Sequence, residues 1–347
     1  MLLGIPFHVA AIYKIGPDWD FAMSNERSEI LTLLVEVLHI FRMPLFFVVA
    51  GYFSMMSLSR STPGTWFGGR VVKLGLPLLA VGILLNPISL MAQPDSVWLM
   101  SQPGDHWLAH LWFLPTLVLL CACLALMRAT PLQAWFARCV DRVATRPLAG
   151  TVLFVVVASG LSGVGAMLGS RVPEAFFLNA TLPPAVGFLP FMMLGAAMQM
   201  DRRLLASMSE SSVAAFALTA IPLVFVLSTT WGDSWFNLAR FFAMSMVCLG
   251  CARALLTFCR LKLGDPNRHV RRIADASFTI YLVHLPLLNV LYMFFRHGDL
   301  PVFAEFCSMV VLVAVASYCV HLLIAKSRVL MLVFNGVSYQ RSGPPIT

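Results

Sequence analysis

His8, Glu36, His39, Arg42, His110 and His284 stand inside or at the edges of stretches that are otherwise apolar. Charge and imidazole are costly in hydrocarbon, so each marks either a functional site or a pair that neutralises it. Histidine is the residue type best suited to accept and return a proton near neutral pH. Glu36, His39 and Arg42 follow one another at i, i+3 and i+6, which winds them around roughly one side of a helix. Ser277, Tyr281 and His284, at spacings of four and three, share a helix face in the same way. Together these residues have the makings of a proton-transfer site.

The bland alternatives are specific. His8 is able to serve only as a hydrogen-bond partner to a neighbouring helix. Glu36 and Arg42 are able to form an internal ion pair that ties helices together. His110, alone, reads as an interfacial residue. Arg42 is followed at once by Met43 and Pro44, and a proline within a span frees a backbone carbonyl and bends the helix where a cavity can open.

The elements that must position these residues are transmembrane helices. The chain of 347 residues is 59% apolar and 12% charged, with a mean hydropathy of +0.83. That leaves little to face water and gives an all-α, polytopic integral membrane helix bundle. Spanning stretches occur at about Leu31–Leu58, Val71–Met91, Leu111–Met127, Gly150–Gly169, Pro183–Met200, Ser212–Thr229, Phe236–Phe258, Asp275–Phe295 and Val302–Ile324. The run from Met1 to Tyr13 covers only about 20 Å as a helix, against a hydrocarbon core of about 30 Å. It reads as the outer part of a tenth span whose beginning is missing.

The net charge of +8 would point to nucleic acid in a soluble protein; in this chain it follows the positive-inside rule, and no nucleic-acid partner is expected. If the first span runs outward, 18 of the 24 lysines and arginines fall on the cytoplasmic side and six outside or at outer span ends. The predicted orientation is N-in and C-in. Loops are short, so one membrane domain is expected over residues 1–334, with a loose cytoplasmic tail over 335–347. Phe41–Gly51 and Phe188–Gly195 share an aromatic, proline and glycine content that helix packing alone can produce. The eight cysteines lie mostly in or beside spans and do not form a disulfide framework; Cys248-x-x-Cys251 lacks partner ligands and reads as packing. No metal and no bound redox cofactor is indicated. Met1–Tyr13 has no basic n-region or small-residue cleavage site and is expected to be retained.

His8 lies six residues before Lys14, about 9 Å inside the outer end of its helix. It is reachable from a cavity, and a neutral imidazole there is suited to accept a proton.

The stretch Phe41-Arg42-Met43-Pro44-Leu45-Phe46-Phe47-Val48-Val49-Ala50-Gly51-Tyr52-Phe53, with Gly4-Ile5-Pro6-Phe7-His8 before it, resembles the acyltransferase-3 family of integral membrane acyltransferases. Within that family it is most similar to the glucans biosynthesis protein C group, succinyltransferases of osmoregulated periplasmic glucans. His110-Leu111-Trp112-Phe113-Leu114, Leu189-Pro190-Phe191 and the run from Ser277 to Pro286 match the same group in order and spacing, so the resemblance covers nearly the whole chain.

The resemblance implies ten core spans, an acyl-CoA co-substrate (succinyl-CoA) taken from the cytoplasm, and a glucan acceptor on the periplasmic face. The glucan synthesis machinery and the lipid bilayer are the further partners it implies. It places the family's catalytic histidine on His8, as general base or transient acyl carrier. Glu36 and His39 are then expected to orient the sugar hydroxyl or shuttle its proton. Arg42, His110, Trp112, Ser277, Tyr281 and His284 are expected to bind substrate. The family arginine that precedes this histidine would fall before Met1, which, with the short first span, gives the expectation that the chain as written starts late. Two other readings stay open: O-acetylation of a glycan by the same chemistry, and export of a glycan through a central polar cavity.

Overall fold

Backbone N–H and C=O groups in hydrocarbon must be satisfied within the chain, so the apolar stretches fold as helices. The computed structural model describes residues 2–16, 24, 26–91, 108–172, 178–210, 213–229, 234–262, 268–295 and 300–336. Its helices are α1 (Gly4–Ala11), α2 (Glu29–Leu58), α3 (Pro63–Leu84), α4 (Asn86–Met91), α5 (Phe113–Ala129), α6 (Leu132–Thr145), α7 (Pro147–Gly169), α8 (Leu178–Met200), α9 (Arg202–Met208), α10 (Val213–Ser228), α11 (Ser234–Lys262), α12 (Arg268–Phe295), α13 (Val302–Ile324) and α14 (Arg328–Asn335). A 3₁₀ turn, Ala109–Trp112, leads into α5.

Among the described residues, eight helices are long and apolar enough to cross a membrane: α2, α3, α5 with its 3₁₀ turn, α7, α8, α11, α12 and α13. The fold is the all-α polytopic bundle that composition predicts. Of the two remaining expected spans, Ser212–Thr229 corresponds to α10, which has 16 residues. The N-terminal run corresponds to α1, which has eight. Most of the tail, residues 337–347, lies outside the described residues.

The chain divides into two compact units, each assembled from separated stretches: Met1–Thr32, Gly69–Pro115 and His269–Thr347 form the first, Leu33–Gly68 and Thr116–Arg268 the second. In the first unit, α1 packs along α13. It is buried almost all round, with only Pro6 of its eight residues less than fully covered, which is the pattern of a core helix.

At the other end of α13, α14 is capped at both ends. Ser327 Oγ accepts from the Leu330 N–H at 3.4 Å, and Gly336 closes the C-terminus at φ +60°, the left-handed conformation that glycine adopts without strain. A Cβ at Gly336 would meet the Lys73 backbone at 2.4 Å, so glycine is required twice over. Asn335 Oδ1 accepts from the Thr279 hydroxyl at 3.2 Å, and Thr279 Oγ1 in turn accepts from His321 Nδ1 at 3.0 Å.

In the second unit α7 packs on α8 and on α11, and α10 packs on α11. Helices α2 and α8 meet at two glycines: a Cβ on Gly51 would sit 2.0 Å from the Met192 carbonyl oxygen, and one on Gly195 would sit 1.9 Å from that of Val48. Phe47 and Phe188 stack beside this contact, centroids 4.7 Å apart. The shared composition of Phe41–Gly51 and Phe188–Gly195 is therefore the two sides of one close helix crossing, in which small residues let backbones approach. Cys248 is buried and its thiol donates to the Ile40 carbonyl at 3.2 Å, which is the packing role expected of it.

Candidate active site

Within the first unit, His8 of α1, His110 of the 3₁₀ turn, and Tyr281 and His284 of α12 converge. Ring centroids of His8 and His284 are 5.2 Å apart, those of His110 and His284 5.2 Å, and those of His8 and His110 6.5 Å. Tyr281 lies 5.3 Å from both His110 and His284. All three histidines are buried, at 4%, 3% and 1% exposure for His8, His110 and His284. The cluster is walled by aromatic edges: Phe7 against His8 at 4.9 Å and Phe113 against Tyr281 at 4.5 Å.

Hydrogen bonds to backbone carbonyls fix the protons. A carbonyl only accepts, so His284 Nδ1, 2.6 Å from the Tyr281 carbonyl, carries the hydrogen, and in the neutral ring Nε2 is the nitrogen with the lone pair. By the same reasoning His110 Nε2, 3.2 Å from the Leu282 carbonyl, is the donor and Nδ1 the basic nitrogen. The Tyr281 hydroxyl donates to the His110 carbonyl. Thus α12 and the 3₁₀ turn exchange two bonds, one in each direction, and neither ring is able to rotate without breaking one.

Local backbone makes this possible. Ala109 has φ +42°, left-handed space that a non-glycine residue enters at a cost of about 1–3 kcal/mol. That turn aims His110 at α12. On α1, Gly4 and His8 share a face at i and i+4. A Cβ at Gly4 would be 3.3 Å from His284 Nε2, so glycine gives the imidazole its place against α1. Neither feature stands out in the sequence: Ala109 carries no turn signal, and Gly4 is visible only as a glycine within an apolar helical run.

The remaining predicted residues are placed as follows. Trp112 is half-buried in the same 3₁₀ turn as His110. Ser277 donates its hydroxyl to the Ala274 carbonyl of its own helix at 2.7 Å, so it shares the sequence face of Tyr281 and His284 while bonding away from them. Glu36, His39 and Arg42 belong to the second unit. There Glu36 and His39 are exposed and Arg42 is half-buried. Glu36 acts electrostatically on Arg240 of α11, a residue that belongs to no motif in the sequence. Arg240 is buried to 9% exposure, and its Nη1 donates to the Val226 carbonyl at 2.8 Å, to the Thr229 carbonyl and to Thr229 Oγ1 at 2.9 Å, which satisfies carbonyls at the C-terminal end of α10. Among the described residues no group of three or more His, Cys, Asp or Glu is placed to hold a metal ion.

A set of imidazoles with assigned donor and acceptor nitrogens, shielded by aromatic rings, is equipped to take a proton from a hydroxyl and hand it on. It is equally equipped for nucleophilic attack on an activated carbonyl. Comparison with known proteins gives the same chemistry. The family model described as an acyltransferase domain, acyltransferase-3, matches residues 1–323. Similar proteins include those named Glucans biosynthesis protein C from Escherichia coli O81 (strain ED1a), Shigella dysenteriae serotype 1 (strain Sd197) and Escherichia coli (strain K12). Each is 29% identical to this chain, over 83% of it and 79% of the relative. No solved structure matches the chain. With the family model covering nearly its whole length and the histidine cluster inside that match, the chain belongs to the acyltransferase-3 family of membrane acyltransferases.

Proposed function

We propose that the chain transfers a succinyl group from cytoplasmic succinyl-CoA to glucose hydroxyls of osmoregulated periplasmic glucans. The observation that carries this reading is the buried cluster of His8, His110, Tyr281 and His284, in an acyltransferase similar to proteins named Glucans biosynthesis protein C.

In the direct form of the reaction the hydroxyl oxygen attacks the thioester carbonyl carbon. The C–O bond forms, the C–S bond breaks, and the hydroxyl proton passes through the His8 imidazole to the departing sulfur, giving CoA-SH. In the two-step form, a His8 nitrogen attacks the thioester carbon, the C–S bond breaks and the ring proton leaves with the sulfur as CoA-SH; the hydroxyl oxygen then attacks the acyl carbon, the C–N bond breaks and the hydroxyl proton returns to the imidazole. His284 and His110, with their tautomers held by the Tyr281 and Leu282 carbonyls, each present one basic nitrogen to receive or return a proton in either form.

Glu36 and His39 are assigned to orienting the acceptor. Arg42 is assigned to the succinyl carboxylate on the chemistry of its guanidinium. The reading carries with it an inner-membrane protein with both termini in the cytoplasm, working beside the glucan synthesis machinery.

The test is transfer in proteoliposomes supplied with radiolabelled succinyl-CoA on one side and a glucan oligosaccharide on the other. Label is expected on the oligosaccharide with the full chain and none with His8→Ala. Transfer from acetyl-CoA with none from succinyl-CoA would overturn the succinyl assignment.

A further inference from the structure

The first unit holds a second polar group that the acyl-transfer chemistry does not use. Asn289 of α12 is 1% exposed, and Ser89 of α4 is 4% exposed. The Asn289 amide nitrogen donates to Ser89 Oγ at 2.5 Å and lies 3.5 Å from the Ser89 carbonyl. The Ser89 carbonyl only accepts, so the amide nitrogen faces Ser89 and Oδ1 faces away from it. The other end, Oδ1, is buried and has no hydrogen-bond partner among the described residues. Asn86, also 1% exposed, sits one turn before Ser89 on α4.

An amide oxygen left without a donor in an apolar interior is destabilising. Leucine would fill much the same volume without that cost. The amide is also not needed to join the helices, since only its nitrogen makes the α12–α4 bond. What Oδ1 lacks is an O–H or N–H donor, presented along a direction that the Ser89 bond has already set.

Asn289 follows His284 by five residues, about 7.5 Å further along α12. It lies on the same buried side as Tyr281, Leu285 and Leu288. With the accompanying rotation of about 140° about the helix axis, that offset is too large for Asn289 to reach the hydroxyl that reacts at the histidines or one beside it on the same ring, and it suits a hydroxyl on an adjoining glucose unit of the acceptor.

We propose that Asn289, oriented by Ser89, is an acceptor-binding residue whose Oδ1 takes a hydrogen bond from a non-reacting hydroxyl of the sugar. The assignment rests on the acyl-transfer reading above and adds to it the residue that selects a polyhydroxylated acceptor. A site built to pair with a hydroxyl discriminates strongly against an acceptor that lacks it, because the buried oxygen is then left unpaired.

The experiment measures initial rates with purified wild-type, Asn289→Leu and Ser89→Ala proteins, varying glucan oligosaccharide and succinyl-CoA in turn, alongside thermal unfolding in detergent. For Asn289→Leu the acceptor KM is expected to rise about tenfold or more, with the KM for succinyl-CoA within twofold and the unfolding temperature unchanged or higher. Ser89→Ala, which keeps the amide and loosens its orientation, is expected to give a smaller rise in acceptor KM alone. A lowered unfolding temperature with unchanged acceptor KM would make Asn289 a structural residue and overturn the assignment. Parallel rises in both KM values would do the same. Absence of any wild-type transfer to the oligosaccharide would overturn the glucan reading itself, and the subsite with it.

Discussion

The Tyr281 hydroxyl donates to the backbone carbonyl of His110, and the His110 ring returns a bond to the α12 backbone one residue further on, at Leu282. This reciprocal pair ties the 3₁₀ turn to the helix that carries His284. Tyr281→Phe removes one of the two bonds and keeps the ring against Phe113. The expected cost is about 1 kcal/mol in stability. A larger loss, about tenfold or more, is expected in kcat, because the 3₁₀ turn that carries His110 is then held to α12 by the Leu282 bond alone. Initial-rate kinetics beside thermal unfolding separates the two effects, and a kcat within twofold of wild type would remove His110 orientation from the account.

Gly4 tests the seating of His284 from the other side. Alanine there places a methyl carbon 3.3 Å from His284 Nε2, closer than comfortable contact, on the nitrogen assigned as basic. Acyl-transfer rate is expected to fall several-fold, while the melting temperature moves by only a degree or two, since the ring is able to shift slightly. Wild-type kinetics in Gly4→Ala would mean that Nε2 takes no part.

Two classes of glycine should behave oppositely in the helices. Gly51→Ala or Gly195→Ala drives a carbon into a backbone carbonyl at 2.0 or 1.9 Å, which only separation of α2 and α8 relieves. A loss of about 3 kcal/mol or more is expected, seen as poor yield and early unfolding. At Gly75, where nothing lies within 4 Å of an added Cβ, alanine is expected to stabilise α3 by about 0.5–1 kcal/mol. Thermal unfolding of the three variants in one detergent checks the contrast.

These contrasts show where the sequence is legible. Length, apolarity and charge distribution lead to the helical membrane bundle because hydrocarbon permits little else. The Tyr281 and His284 pairing is legible from a three-residue helical spacing, and the aromatic and glycine content of Phe41–Gly51 and Phe188–Gly195 foreshadows their crossing. What sequence does not disclose depends on distant backbone atoms. The bond from His110 to Leu282 spans 172 residues, the left-handed turn at Ala109 has no residue signature, and Asn289 meets Ser89 across 200 residues. Ser277 shares a helical register with Tyr281 yet turns its hydroxyl to Ala274, because a serine in a helix readily bonds its own backbone.

Outside the spans, Asp201 caps α9 by accepting from the Arg203 N–H at 2.8 Å. The Arg203 guanidinium beside it holds its carboxyl below the usual carboxylate range, and Arg203 also pairs with Asp141 of α6 at 2.6 Å. A carboxyl depressed in the folded state contributes stability that is complete above its unfolded value of roughly 3.9 and is lost as pH falls through the folded value. The wild-type protein should therefore lose stability relative to Asp201→Asn below about pH 4. The difference is expected to be small, because this cluster is solvent-exposed and screened. Unfolding temperatures of the two proteins at pH 3 and pH 7 measure it.

The central claim is that this acyltransferase, through His8, decorates a periplasmic glucan. Mass spectrometry of glucans from a strain lacking the gene, complemented with the chain or with His8→Ala at equal expression, tests it most directly. Succinyl mass increments that appear with His8 and vanish with alanine are the predicted result. Glucans that carry the same masses in every strain would contradict it.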